Sequence, residues 1–138
     1  MREGYGELID PTTGRKYEGL WKSGEIFKGR IFDNDGTYYV GEIQDYLPNG
    51  EGTCFFTNGA KYIGKWSKGS QVGTGTRYYP DQRSYMGDLL HNMFHGTGMM
   101  TWQDKSVYSG SFEAGMISGD GKYINQNEDT FQGKFVNN

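Results

Sequence analysis

The sequence predicts an all-β protein: one elongated antiparallel meander of tandem β-hairpins, an open sheet and not a closed barrel. Three observations predict it. First, a Tyr-x-Gly unit returns at Tyr17, Tyr39, Tyr62, Tyr85 and Tyr108, with Phe131-Gln132-Gly133 as a further copy; the spacing is 22 residues once and 23 thereafter. Second, each leading aromatic is followed by its glycine at i+2 and by a large apolar residue at i+4: Trp21, Ile43, Trp66, Leu89, Phe112 and Phe135. That period of two is strand periodicity and puts all three on one face. Third, each unit ends in a turn dipeptide led by Asp or Asn: Asp35-Gly36, Asn58-Gly59, Asp81-Gln82, Asp104-Lys105 and Asn127-Glu128. Such pairs between short strands signal hairpins.

The elements follow in order along a single array, residues 1–138. Residues 1–16 are a partial copy, in which Gly4-Tyr5-Gly6 keeps a Gly-x-Gly pair and Gly14 marks a turn. The repeat starting at 17 turns at Ser23-Gly24 and keeps only Gly29 of its pair, being one residue short. The repeats starting at 39, 62, 85 and 108 carry full pairs: Gly50 and Gly52, Gly73 and Gly75, Gly96 and Gly98, Gly119 and Gly121. Tyr46 and Asn92 replace the mid-hairpin glycine found at Gly24, Gly69 and Gly115. Residues 131–138 begin another copy.

Glycine is 23 of 138 residues, far above the usual share of roughly 7%. With 3 prolines and no Gly-X-Y period, collagen is excluded. At 16% aromatic the chain is too ring-rich for disorder. Glycine in a strand loses entropy and packs nothing. Its use here is to leave bare backbone for a neighbouring aromatic ring to lie over. One hairpin alone is marginal, so stability comes from stacking repeats.

No apolar run is long enough for a transmembrane helix, and no signal-peptide core follows Met1. The single Cys54 excludes an internal disulfide and a multi-Cys zinc site. A net charge of −3 argues against nucleic acid and against a polybasic anchor. His91 and His95 lie in a hairpin loop without a completing ligand set. The Gly-Thr-Gly segments lack a following helix and a GK[ST] motif, and no Gly-x-Ser-x-Gly elbow occurs. No catalytic residue, metal site or cofactor is expected.

The aromatic ladder reads first as core. A second role as a partner-binding groove makes Tyr17, Tyr39, Tyr62, Trp66, Tyr85, Met93, Phe94, Trp102 and Tyr108 the candidate contacts. Met86, Met93, Met99, Met100 and Met116 cluster with Leu89, Leu90 and Phe94, an adaptable apolar set. Charge is segregated. Residues 31–60 carry Asp33, Asp35, Glu42, Asp45 and Glu51 without a Lys or Arg. Residues 61–83 carry Lys61, Lys65, Lys68, Arg77 and Arg83 against Asp81 alone. These five cations are the candidates for an alternative, anionic lipid.

Tyr62-Ile63-Gly64-Lys65-Trp66, continuing through Gly69 to Gly73-Thr74-Gly75, resembles the unit of the MORN repeat family at every signature position. The resemblance runs from Gly4 to Phe135. It implies a twisted, grooved sheet with no catalytic residue, and a non-enzymatic scaffold or adaptor in a cytoskeletal or ciliary assembly of the cytoplasm. The expected partners are other proteins, with a homo-oligomer through open sheet ends as a further option. The alternatives it implies are phosphoinositide or membrane-surface binding, and a regulatory part of a larger enzyme.

Overall fold

The structure, a computed structural model, describes residues 2–136. Met1, Asn137 and Asn138, the outermost residues of the two partial copies, lie outside the described residues. The strands are β1 (Gly4–Ile9), β2 (Lys16–Lys22), β3 (Glu25–Phe32), β4 (Tyr38–Gln44), β5 (Leu47–Phe55), β6 (Lys61–Ser67), β7 (Ser70–Tyr78), β8 (Ser84–Leu90), β9 (Met93–Thr101), β10 (Val107–Glu113), β11 (Met116–Ile124) and β12 (Thr130–Phe135). They form one open antiparallel sheet in chain order, β1 through β12, as the repeat predicts.

Two kinds of turn alternate along its margins. One margin holds two-residue turns with both central residues at positive φ: Ser23-Gly24, Asp45-Tyr46, Lys68-Gly69, His91-Asn92 and Ala114-Gly115. These are type I′ turns, whose twist matches that of the strands they join. Tyr46 is a bulky residue held at φ 63; its ring packs on Tyr17 and Trp21 at centroid distances of 5.3 and 6.1 Å. That packing holds a conformation an aromatic side chain does not favour. The other margin holds the Asp- and Asn-led turns. The Oδ1 atoms of Asp35, Asn58, Asp81 and Asp104 each accept the backbone N–H two residues on, at 2.9–3.1 Å. The last turn differs: Asn125, not Asn127, accepts, from the N–H groups of Asn127 and Asp129.

One rung crosses the whole sheet. Gly6, Gly19, Gly29, Gly41, Gly52, Gly64, Gly75, Gly87, Gly98, Gly110, Gly121 and Gly133 pair side by side, one per strand. Next to it each full hairpin bulges. Gly41 pairs with Gly52 and Ile43 with Pro48, so β5 carries two residues more than β4 over that stretch. In the repeat starting at 17 the excess is one residue, because Gly19 pairs with Gly29 and Trp21 with Ile26. The residue missing from that repeat is therefore lost from the bulge, and the rung stays in register.

Tyr17, Trp21, Ile26, Ile31, Tyr39, Ile43, Cys54, Tyr62, Trp66, Tyr85, Leu89, Phe94, Met100, Tyr108, Phe112 and Ile117 form one buried cluster on a single face, here the ring face. Among the described residues no second layer covers it. Successive rings cover one another edge to face, as in Tyr39–Trp66 at 5.3 Å and Tyr62–Trp66 at 5.2 Å. Edge-to-face packing contributes ~0.5–1.5 kcal/mol per pair beyond the area buried.

Candidate functional site

The glycine rung decides where the rings go. A Cβ at Gly64 stands 2.5 Å from Oη of Tyr62, and one at Gly75 stands 2.5 Å from Cε1 of the same ring. Tyr62 thus lies over the glycines of its own strand and the next. Tyr39 does the same over Gly41 and Gly52, Tyr85 over Gly87 and Gly98, and Tyr108 over Gly110 and Gly121. Each hydroxyl then donates to the carbonyl three residues on: Glu42, Lys65, Asp88 and Ser111, at 2.5–3.1 Å. Trp21 and Trp66 donate their indole N–H to Gly6 O and Gly52 O, at 3.0 and 3.1 Å. Tyr17 is the exception: a Cβ at Gly19 or Gly29 meets backbone before any atom of its ring, and the ring packs edge-on to Tyr46 at 5.3 Å.

Against this apolar pattern, one hairpin departs. The β3, β5, β9 and β11 residues in the inner position are Ile26, Pro48, Phe94 and Ile117; β7 has Gln71 there. At the position opposite the leading tyrosine the others carry Ile31, Cys54, Met100 and Tyr123, and β7 has Arg77. Gln71 is buried at 5% exposure. Arg77 donates to Asn92 O at 2.7 Å, to Tyr79 Oη at 3.3 Å and to Gln71 Oε1. Its guanidinium carbon stands 5.1 Å from the Phe94 ring centroid.

Gln71 and Arg77 form the polar end of a cleft of ≈ 540 Å³ on the ring face. Its apolar wall is Leu47, Pro48, Phe56 and Trp66, with Tyr39, Ile31 and Cys54 alongside; Arg15 and Asp33 close the far end and Asn92 the near one. Arg15 Nε meets Asp33 Oδ1 at 2.5 Å. Burial lowers the Arg15 pKa, and the bonds to Asp33 and Tyr17 outweigh it, so the net movement is upward. Residues from Arg15, just before β2, to Asn92, in the turn between β8 and β9, line this one cleft. The volume is that of an ordinary ligand site.

The buried phenols and the thiol of the ring face are held neutral. Burial raises the pKa of Tyr39, Tyr62, Tyr85 and Tyr108, and pushes the Cys54 thiol up to about 11, with Asp33 and Asp35 adding to it. A thiol so raised is a poor nucleophile at neutral pH. Among the described residues no group of three or more His, Cys, Asp or Glu is placed to hold a metal ion.

The residues singled out from sequence are distributed as follows. Tyr39 and Trp66 line the cleft. Tyr17, Tyr62, Tyr85, Tyr108 and Phe94 are buried in the ring face, so the ladder is core over most of its length. Trp102 packs edge-on to Tyr123 at 5.9 Å, and Met93 is exposed at 47%. Of the methionines, Met100 is buried, while Met86 and Met99 face each other, exposed, across β8 and β9. The five cations do not converge. Lys61 and Lys65 lie on the open face, Lys68 in a type I′ turn, and Arg77 on the ring face. Arg83 pairs with Asp81 at 2.8 Å on the opposite margin. Sequence reasoning missed Gln71, Asn92 and Arg15. It also missed a stacked row on the open face, where Phe32–Tyr38 and Tyr38–Phe55 lie at 5.7 and 4.7 Å. An aromatic one residue before Tyr39 was the available signal, since adjacent strand residues face opposite ways.

The fold and its cleft define a class, the open single-sheet β-hairpin repeat protein. Comparison with known families matches the MORN repeat to residues 39–61, 62–82, 85–107 and 108–130, and the chain belongs to the MORN repeat family. MORN repeats are generally protein- or membrane-binding modules, non-catalytic in themselves.

Proposed function

We propose that this chain is a non-enzymatic adaptor that takes up a segment of a partner protein in the ring-face cleft. One observation carries the reading: the cleft of ≈ 540 Å³ with its wall of Leu47, Pro48 and Trp66, set where the repeat pattern alone requires a filled core. We also read residues 17–38 as a fifth repeat and the chain as one array with partial copies at 1–16 and 131–138. The continuous glycine rung from β1 to β12 supports this. In this reading the partner belongs to a multi-subunit assembly of the cytoskeleton or cilium, in the cytoplasm. Strand pairing between copies at β1 or β12 is the accompanying route to a homo-oligomer. Membrane lipid is the weaker reading, because the candidate cations divide between two faces and two margins.

The test is affinity capture from native lysate with the chain and two variants. Leu47→Arg, at the half-buried cleft wall, is expected to lose the partner; Met86→Arg, on the open face, is expected to keep it. A partner retained by Leu47→Arg and lost by Met86→Arg rejects the cleft. Sedimentation with phosphoinositide vesicles tests the other reading. Binding that disappears when Lys61, Lys65 and Lys68 are neutralised would reverse the ranking.

A further inference from the structure

We propose that Arg77 is the anchor for a carboxylate: the segment received by the cleft carries an Asp or Glu side chain next to an apolar residue. This rests on the reading of the cleft as a protein-docking site.

The repeat itself supplies the control. Four equivalent positions hold Ile31, Cys54, Met100 and Tyr123, so nothing in the fold calls for a cation where Arg77 stands. Gln71 beside it replaces the apolar type seen at Ile26, Phe94 and Ile117. Two adjacent polar departures at repeat positions that are otherwise apolar weaken the core, and both line one cleft.

Among the described residues no carboxylate pairs with Arg77. Among the described residues its acceptors are the Asn92 carbonyl, the Tyr79 hydroxyl and the Gln71 amide oxygen, all neutral. These account for three of the five N–H groups a guanidinium offers. The other arginine of the cleft, Arg15, is neutralised by Asp33. A half-buried cation without an anion is poorly solvated, and a carboxylate forms with it the strongest hydrogen bonds available to either. The guanidinium is already oriented by Gln71, by Asn92 and by the Phe94 ring, so little ordering remains for a ligand to impose.

The charge count selects the ligand. One uncompensated cation matches one carboxylate. A phosphate dianion asks for more positive charge than one guanidinium supplies, since the second arginine of the cleft, Arg15, is already paired with Asp33. The apolar wall of Leu47, Pro48, Phe56 and Trp66 takes the neighbouring side chain.

The experiment is selection of a displayed random-peptide library on the full chain, followed by calorimetry with one selected peptide. Arg77→Met is the variant of choice, because Met100 occupies the equivalent position in the next repeat and the fold accepts it; a thermal melt verifies folding. The expected result is an acidic residue beside an apolar one in the selected peptides. Affinity should fall about 10–100-fold for Arg77→Met, and equally for the acid-to-amide peptide. Combining the two should bring no further loss. Peptides that Leu47→Arg abolishes but that Arg77→Met leaves intact, or that lack an acidic residue, overturn the anchor and leave the docking cleft standing. Arg77-dependent binding of inorganic phosphate at the same strength overturns it in favour of a phosphate site. Selected peptides indifferent to every cleft substitution remove the docking reading and the anchor with it.

Discussion

Replacing Gly75 by Ala adds one methyl group and tests why the sheet carries its glycine rung. The backbone there is compatible with alanine, so any penalty is steric. The new Cβ stands 2.5 Å from Cε1 and 2.6 Å from Cζ of Tyr62, and closer still to Oη. The ring must withdraw. It then gives up the hydrogen bond to Lys65 O, 3.1 Å long, and loosens its edge contact with Trp66. Overpacking contributes ~1–3 kcal/mol and the lost hydrogen bond ~1 kcal/mol, so the expected destabilisation is about 2–4 kcal/mol. Urea unfolding followed by tryptophan fluorescence measures it. The decisive comparison is the same change in a Tyr62→Leu background. Leucine lacks every ring atom that approaches Gly75, so the penalty there should fall below half. Gly64→Ala is the counterpart without rescue, because its Cβ also meets the backbone at 2.7 Å, at Gly75 Cα. An undiminished Gly75→Ala penalty in the Tyr62→Leu protein would refute the account of rings seated on bare backbone.

Other outcomes follow from the same geometry. Trp66→Ala removes a buried ring, its contacts with Tyr39 and Tyr62 and its bond to Gly52 O, and should destabilise by ~3–5 kcal/mol in the same assay. Arg77→Met and Gln71→Phe restore the residue types of the following repeat; each should raise the melting temperature while impairing partner capture, and a lowered melting temperature would show that the polar pair is structural. Stability should decline as pH rises from about 9 towards 11: the raised Cys54 and tyrosine pKa values mean that the unfolded chain ionises first. A Cys54→Ala variant should lose part of that alkaline slope. On the acid side, Asp10, Asp81 and Asp104 accept turn hydrogen bonds that hold their carboxyls below the ordinary value. Stability should therefore fall as pH drops through that range, and a flat acid limb in thermal melts would remove the turns from the account.

The alternation of Tyr, Gly and a large apolar residue was enough to establish strands, hairpins and an open meander, because side-chain direction in a strand is a local property with a period of two. It also identified a repeat one residue short. Which residue neighbours which across the sheet is not local. It depends on turn lengths and on how many residues each bulge absorbs, and those counts place the twelve glycines on one rung and Arg77 between Tyr62 and Tyr85. From sequence, Arg77 stood among five cations of one basic stretch; the register removes it from the other four and turns it to the ring face. Tyr17, although its motif matches the other leading tyrosines, packs edge-on to Tyr46, in the repeat whose bulge is one residue shorter. The cleft belongs wholly to the tertiary structure. Arg15 and Asn92 are far apart in the chain, and only the pairing of β2 through β9 in one sheet, which sets residues of successive strands side by side, brings them to line one cavity.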